Sequence, residues 1–338
     1  MLDMFKSDAF SVISLTDAIN AIPYVPTGLA PLFRENGVSV LSVAIEQKDD
    51  VLQLIAPSPR GGPGDTIDKR KRSMLNLTIP HFQRNDAIMA DEVQGVRAWG
   101  EESVVETVMG KLAERLAEHS QDFDATAEYH RIGAIKGVVT YADSSTLDLF
   151  ATFGVSQEAE VDFDLDNASP ASGALRKKCA TTERLIARNL GGMSYSGIGA
   201  ECGDAFWDDL IAHPEVRATF LNQAAAAELR TGAVFQSFNF GGITWRNYRG
   251  STGATGSSDA GTAFVNTDKA HLYPLGVPGL FRCVYGPADY IETVNTIGQR
   301  LYVKQWTMPN DKGINLEIQT NALHYCTRPK TLIKAKRT

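Results

Sequence analysis

The sequence has few of the residue arrangements that metal sites and disulfide frameworks need. It contains 4 cysteines and 6 histidines, but no Cys-x-x-Cys pair and no His-x-x-x-His pair. The cysteines, Cys179, Cys202, Cys283 and Cys326, are far apart along the chain. We therefore predict reduced core cysteines, with no metal site and no structural disulfide.

Long apolar runs and an excess of positive charge are also missing. No stretch of about 18 apolar residues occurs, and the first residues lack the apolar core and small-residue cleavage site of a signal peptide. The sequence therefore predicts no membrane partner and a cytoplasmic location. The formal net charge is -7, which argues against a dedicated nucleic-acid binder.

The composition is that of a globular protein, and the sequence contains one long helical pattern. A chain of 338 residues with 43% hydrophobic content can bury a sizeable core, and this length favours two domains. From about residue 101 to 131, apolar residues recur at intervals of three, four or seven, with Glu and Lys between them. We predict one long amphipathic helix there, a rod of roughly 45 Å.

The N-terminal segment predicts an irregular arm with one short helix. Thr16 is the predicted cap of this helix, and Pro23, Pro26 and Pro31 prevent a longer one. The arm is rich in Ile, Leu, Tyr and Phe, so we expect it to dock on its own body or on a neighbouring copy.

Residues 37–90 predict a long β-excursion. Two β-rich runs at 38–45 and 51–55 flank a polar turn and predict a hairpin, and a tip dense in Gly and Pro follows at 57–65. A basic strand then returns. Because a two-stranded ribbon is only marginally stable alone in water, we expect this segment to lie on another subunit.

After the long helix, strands and helices are mixed. The predicted elements are strands at 137–143 and 147–153, helices at 175–187, 205–211 and from 214 onward, and strands at 234–240 and 243–248. From residue 301 strands dominate, with Pro309–Gly313 as a hairpin turn.

Two glycine-rich segments were compared with phosphate-binding loops. The 61–64 segment lacks the Lys-Ser/Thr pair of a P-loop, so a flexible tip is the favoured interpretation. The 197–199 segment, Gly-Ile-Gly, precedes a predicted helix, but Gly203 falls one residue late for a dinucleotide fingerprint and no strong apolar strand precedes it. Neither segment predicts a phosphate site.

Other reactive or charged groups also have plain structural interpretations. Cys202 and His213 would supply a thiol and a base, but no orienting acid accompanies them, so a core cysteine and a helix-capping histidine are favoured. Asp162, Asp164 and Asp166 alternate along the chain and would attract a cation, yet a solvated strand face is favoured.

The strongest charged feature is a run of four consecutive cations, Lys69, Arg70, Lys71 and Arg72. Such a run binds phosphate, and equally it binds an acidic face on a neighbouring copy. The sequence alone leaves both alternatives open.

Several segments together carry a family resemblance. They are Phe10 to Pro26, the Arg-Gly-Gly-Pro-Gly run at 60–64 with its Lys/Arg-rich strand, Ile79-Pro80-His81, Ala90 to Arg97, Cys202 to Val216, and Ala263 to Pro274. Among these, Asp91 to Arg97 and Phe206 to Val216 are the most specific. The chain resembles the major capsid proteins of tailed phages, in particular the lambda type known as the gene E family, along most of its length.

This resemblance implies an α+β fold of the Hong Kong 97 type. The implied parts are an N-terminal arm at 1–36, an extended loop at 37–90, a peripheral domain at 91–174 with a spine helix at about 101–131, an axial domain at 175–300, and return strands of the peripheral domain at 301–338. Inter-subunit contacts are expected in the extended loop, at Arg60, Gly61, Gly62, Gly64, Lys69, Arg70, Lys71 and Arg72.

The implied function is that of a major capsid protein of a tailed double-stranded DNA phage. It would self-assemble through hexamers and pentamers into an icosahedral procapsid that matures and encloses the genome, with no enzymatic activity, catalytic residue, metal or cofactor. The implied partners are further copies of itself, a separate scaffolding protein, a portal, a decoration or cement protein, and packaged DNA by non-specific proximity. The implied location is the virion capsid, with assembly in the bacterial host cytoplasm.

Two functions of other classes remain as alternatives. One is an α/β enzyme with a site near Gly197–Cys202, and the other is a DNA-organising protein that uses Lys69–Arg72.

Overall fold

The computed structural model describes residues 12–21, 28–48, 72–93, 108–167, 169–221, 237–250, 263–309 and 312–338. The helices are α1 Val12–Ala21, α2 Ala90–Val93, α3 Val108–Lys136, α4 Leu149–Thr152, α5 Ala174–Leu190, α6 Asp204–Ala212 and α7 Pro214–Leu221. The strands of the first half are β1 Phe33–Gly37, β2 Ser42–Lys48, β3 Arg72–Thr78, β4 Phe82–Met89, β5 Val138–Thr140, β6 Thr146–Asp148, β7 Val161–Asp162 and β8 Gly197–Cys202. The later strands are β9 Ser237–Phe240, β10 Ile243–Asn247, β11 Lys269–Leu275, β12 Phe281–Tyr285, β13 Tyr302–Thr307, β14 Gly313–Thr320, β15 Ala322–Cys326 and β16 Ile333–Lys336.

The chain divides into two compact units, each built from separate stretches of sequence. Unit 1 comprises residues 1–45, 76–128 and 282–324, and unit 2 comprises residues 46–75, 129–281 and 325–338. The predicted long helix is α3, which runs to Lys136 rather than ending near residue 131. The first residues of that prediction, 101–107, lie outside the described residues.

Unit 1 is organised around a three-stranded antiparallel sheet in the order β13-β14-β4. One face of the sheet packs with α1 and α3 in a single apolar core. The buried members are Leu15, Ile19, Ile88, Leu112, Leu116, Leu301, Val303, Leu316 and Ile318, with Phe123 packed against them. The N-terminal helix therefore docks on its own body, one of the two positions expected for the arm.

The predicted capping role of Thr16 is wrong. Helix α1 begins at Val12, so Thr16 lies in its interior. The Thr16 side chain is buried, and its Oγ1 accepts a hydrogen bond from Val303 N at 3.3 Å. Asn20 Nδ2 donates to Leu301 O at 2.9 Å, so two polar side chains of α1 fix the helix along β13.

Unit 2 is organised around a six-stranded mixed sheet in the order β7-β16-β11-β8-β10-β9. The pairs β10–β8 and β16–β7 are parallel, and β11 pairs antiparallel with both β8 and β16. Trp245 of β10 is fully buried and lies 5.5 Å from Phe163 and 5.8 Å from Phe206, measured between ring centroids. These rings form a core on one face of the sheet.

The 197–199 segment precedes a helix, α6, as expected, and it is itself part of a central strand. Strand β8 is buried between β10 and β11, and its small residues allow large neighbours to cross it. A side-chain carbon at Gly199 would lie 2.8 Å from the Tyr273 ring. The glycine is therefore explained by packing, without any ligand.

The strand predicted at 147–153 is also wrong for most of its length. Strand β6 ends at Asp148, whose carboxylate accepts hydrogen bonds from Phe150 N at 2.8 Å and Ala151 N at 3.1 Å. This N-cap starts the helical turn α4. Aspartate at a cap overrides the β-propensity of the Leu-Phe run that follows.

Other predictions agree with the structure. The helices predicted at 175–187 and 205–211 are α5 and α6, and a helix begins at Pro214 as α7. Strands β13 and β14 pair antiparallel on the two sides of the predicted turn, with Val303 opposite Ile318. All four cysteines are free and buried, as predicted.

A buried charged network ties the three central strands of unit 2 together. Glu201 of β8 is 1% exposed, and it accepts hydrogen bonds from Arg246 Nη2 at 2.7 Å, from Arg246 Nε at 2.8 Å and from Tyr273 OH at 2.7 Å. The paired carboxylate is compensated by a bidentate guanidinium, which is the geometry that tolerates burial.

We predict that Arg246→Met destabilises unit 2 strongly, because it leaves the Glu201 carboxylate buried with one neutral donor. The expected loss is about 3 kcal/mol in the free energy of unfolding, measured by denaturant titration of unassembled subunits. Lys304→Met is the matched control, since it removes the exposed ion pair with Glu292 and should cost about 1 kcal/mol or less. Equal effects of the two substitutions would contradict the assigned role of the network.

Candidate functional site

The base of the extended loop is a two-stranded sheet formed by β2 and β3. Strand β2 ends at Lys48 and β3 begins at Arg72, so the pairing partner of β2 is the returning basic strand. The predicted hairpin partner at 51–55 lies outside the described residues, as do Arg60, Gly61, Gly62, Gly64, Lys69, Arg70 and Lys71. Arg72 opens β3. Among the described residues, this ribbon pairs with no third strand.

The chain leaves the ribbon and enters β4, which presents alternating side chains to α3. Arg84, Asp86 and Ile88 are opposite Ile318, Leu316 and Ile314 of β14, so they share the face that carries the unit 1 core. Ile88 is buried with Leu112 and Leu116 of α3. The contact between strand and helix is therefore apolar at one end and charged at the other.

Ion pairs form a row between α3 and the segment made of β4 and α2, which we call the β4–α3 ladder: Arg84, Asp86, Glu92, Arg115, His119 and Asp122. His119 Nε2 lies 2.7 Å from Asp86 Oδ2. Arg115 lies 3.7 Å from Asp86 and 3.5 Å from Glu92, and Arg84 pairs with Asp122. Helix residues 115, 119 and 122 share one face, which the strand crosses.

The environment of Asp86 favours its charged form. Burial raises the pKa of Asp86, but hydrogen bonds from His119 and from Ala87 N, with the positive charge of Arg115, lower it more. The net pKa is therefore below the usual value of 3.8. The carboxylate is held ionised at the point where the loop returns to the body.

A second surface feature of unit 1 is a set of exposed apolar side chains, which we call the apolar ridge: Val40, Leu41, Ile291, Val294 and Ile297. Their exposed fractions are 53%, 67%, 91%, 61% and 70%. The two segments that carry them are tied by a hydrogen bond from Gly298 N to Val38 O at 3.0 Å. Isolated exposed apolar residues are ordinary on a protein surface, but a contiguous group marks an interaction site.

The comparison with known proteins decides the family. The family described as "Phage major capsid protein E" matches residues 11–337 of this chain. The chain belongs to the phage major capsid protein E family. The major capsid protein of Salmonella phage Felix O1 is 26% identical over 363 aligned positions, covering 99% of this chain and 98% of that relative. The major capsid protein of Pseudomonas phage KPP10 is 25% identical over 353 positions, covering 97% of each.

Solved structures show the same fold. The mature capsid of bacteriophage PhiM1 is similar with a TM-score of 0.50 at 15% identity, covering 94% of this chain and 88% of that chain. The fold of this capsid protein is thus the α+β Hong Kong 97 type implied by the resemblance. Its role is structural, its location is the virion capsid, and it is not an enzyme.

The side chains considered for catalysis fit this structural role. Cys202 is fully buried, and burial raises the pKa of its thiol well above the usual range, so it is no thiolate nucleophile. His213 Nδ1 accepts a hydrogen bond from Glu215 N at 3.3 Å, which is the predicted capping role. Asp162 ends β7 and pairs with Lys336 at 2.9 Å, so the predicted strand face stops there.

In the part of the chain that the structure describes, no group of three or more His, Cys, Asp or Glu side chains is arranged to hold a metal ion. No helix in the described ranges combines the length and the apolar character needed to cross a membrane.

The sequence interpretation missed the β4–α3 ladder. A signal was present, because Arg84 and Asp86 alternate on a strand while Arg115, His119 and Asp122 recur at helical spacing. The sequence did not supply the pairing of these two faces, since Asp86 and His119 are 33 residues apart and Arg84 and Asp122 are 38 residues apart.

We predict that Asp86 contributes pH-dependent stability to this capsid protein. A carboxylate with a lowered folded pKa stabilises the fold above its unfolded pKa, and the contribution is lost as the pH falls through the folded pKa. Asp86→Asn should therefore lower the melting temperature of unassembled subunits at pH 7. The difference from wild type should shrink as the pH is lowered below about 4.

Asp122→Asn is the control in the same ladder, because the Arg84–Asp122 pair is exposed at 51% and 56% and should contribute little at any pH. A difference for Asp86→Asn that is the same at pH 3.5 and pH 7 would contradict the assignment.

Proposed function

We propose that this capsid protein assembles through hexamers and pentamers into an icosahedral shell that encloses double-stranded DNA, with its extended loop lying on a neighbouring copy. The observation that carries the proposal is the family match over residues 11–337. Head-to-tail contacts between identical subunits close into rings, and quasi-equivalent rings tile a shell.

The two-stranded sheet at the base of the loop supports a contact with a neighbouring copy. Strands β2 and β3 form a sheet of two strands, and Met74 of β3 is 71% exposed. Such a ribbon gains too little from its own burial to be stable alone, so a neighbouring surface has to cover it. The residues proposed for this contact are Arg60, Gly61, Gly62, Gly64, Lys69, Arg70, Lys71 and Arg72.

The β4–α3 ladder supports the same role from the other end of the loop. A loop that binds a neighbour exerts force on β4, the strand that follows it. Strand β4 is fixed to the long helix by apolar and charged contacts. In this arrangement residues 1–36 are the arm, 37–90 the loop, 91–174 with 301–338 the peripheral domain, and 175–300 the axial domain.

Net charge supports enclosure of DNA without tight binding. With a formal net charge of -7, the protein offers few sites for counterion-releasing phosphate contacts, so DNA is a partner by proximity. The further partners proposed are a separate scaffolding protein, a portal and a decoration protein, with assembly in the bacterial host cytoplasm.

We predict that replacing residues 50–71 by a short Gly/Ser linker leaves folded subunits that form no closed shells. The body should keep its core and its melting temperature, because the unit 1 core and the six-stranded sheet are built from described residues outside 50–71. Negative-stain microscopy and sedimentation of the wild type and the deletion variant, each with its scaffold, provide the measurement.

A second variant, with Lys69, Arg70, Lys71 and Arg72 all changed to Gln, tests the charge of the loop while its length is kept. It should assemble more weakly than wild type, and its deficit should shrink as salt rises, because ion pairs across the contact are screened. Closed shells from the deletion variant at wild-type yield would refute the proposed role of the loop.

A further inference from the structure

The apolar ridge is a rigid surface and not a loose turn. Residues Ile291–Thr293 form a 3₁₀ turn. Thr293 Oγ1 donates to Ala288 O at 2.9 Å, and Thr296 Oγ1 donates to Thr293 O at 2.7 Å. These bonds fix the backbone on both sides of Val294, so its side chain and that of Ile291 are held outward before any partner binds.

The two segments of the ridge are packed too closely to separate without disrupting unit 1. A side-chain carbon at Gly37 would lie 2.3 Å from Gly298 O and 2.6 Å from Ile297 Cγ2. Backbone therefore meets backbone here, and only glycine allows it. Val40 and Leu41 follow shortly after this contact in the chain, so the two segments that carry the exposed apolar side chains are neighbours in unit 1.

The five side chains of the ridge carry no charge, and residues 37–45 and 293–299 contain no Asp, Glu, Lys or Arg. Glu292 lies between Ile291 and Val294 in the sequence, and its carboxylate is paired within the same subunit with Lys304 at 3.0 Å. Glu317 accepts hydrogen bonds from Tyr290 OH at 2.9 Å and Gln319 Nε2 at 2.7 Å.

The lack of charge on the ridge side chains decides which kind of partner the ridge can bind. When the same patch of identical subunits meets around a rotation axis, every charge faces its own copy, and like charges destabilise the contact. An uncharged apolar ridge carries no such penalty. DNA is unsuitable as an occupant because the ridge has no cation to bind phosphate.

We propose that the apolar ridge is a self-contact, at which Ile291, Val294 and Ile297 of one copy meet the same residues of neighbouring copies in the shell. This inference rests on the proposed assembly function and adds to it the surface and the symmetry of one contact. None of the ridge residues is among those proposed for the loop contact at 60–72, although Val40 and Leu41 lie at the start of the 37–90 loop.

The first test places a positive or a negative charge at the same ridge position. Ile291→Lys and Ile291→Glu should each lower the yield of closed shells about tenfold or more, because each places like charges together. An equal mixture of the two variants should restore most of the yield, because opposite charges then meet. Ile291→Leu is the conservative control and should assemble as wild type does.

Two results would decide against the self-contact. Normal assembly of both charged variants would show that the ridge faces solvent. Failure of the mixture, with each subunit still folded by circular dichroism, would show that the ridge binds a different surface or a different protein. Failure of wild type to form shells would instead refute the proposed function, so the two are distinguishable.

A second test does not depend on how the charged variants fold. The four native cysteines are buried, so a cysteine placed on the ridge is the accessible thiol. Shells of Ile291→Cys, Val294→Cys or Ile297→Cys treated with a short bismaleimide should yield covalent dimers, as a thiol of each copy adds to one maleimide double bond. Wild-type shells and unassembled variant subunits should yield none. Intact shells of all three variants without dimers would overturn the proposal.

Discussion

The attachment of β4 to α3 is the contact on which the organisation of unit 1 depends. Strand β4 is hydrogen bonded to β14 along its whole length, and its inner face is divided between Ile88, which enters the core, and Asp86, which binds His119. The strand that ends the loop is therefore part of the sheet that forms the body. A displacement of the loop that reaches β4 has to disturb either that sheet or the ion pairs on the helix.

Charge and apolar surface are separated in unit 1, and each suits a different contact. The β4–α3 ladder places opposite charges opposite each other inside one subunit, where geometry is fixed and the pairs lower the pKa of Asp86. The apolar ridge excludes charge from a surface that faces outward. A shell built from one chain needs both kinds of surface, because identical charges cannot be complementary to themselves across an axis, whereas apolar side chains can.

Unit 2 is stabilised by a different device, a buried ion pair in the middle of its sheet. Glu201, Arg246 and Tyr273 come from three adjacent strands and satisfy one another within hydrogen-bond distance. Such a pair adds little net stability compared with an apolar core, but a shifted register leaves Glu201 unpaired. The network therefore fixes the alignment of β8, β10 and β11 more than it adds to the free energy of folding.

The sequence by itself determined the elements whose pattern is local and repeated. The long helix, α5, α6, the β13–β14 hairpin, the buried cysteines and the family resemblance all followed from periodicity, turn residues and motif spacing. Errors arose where one side chain overrode propensity, as Asp148 did at α4, and where a helix began earlier than its predicted cap, as α1 did before Thr16. Only the tertiary structure decided that Arg84 and Asp86 meet Asp122 and His119, and that residues 37–38 adjoin 297–298. These contacts join residues far apart in the chain, and neither partner's local sequence specifies which surface it will meet.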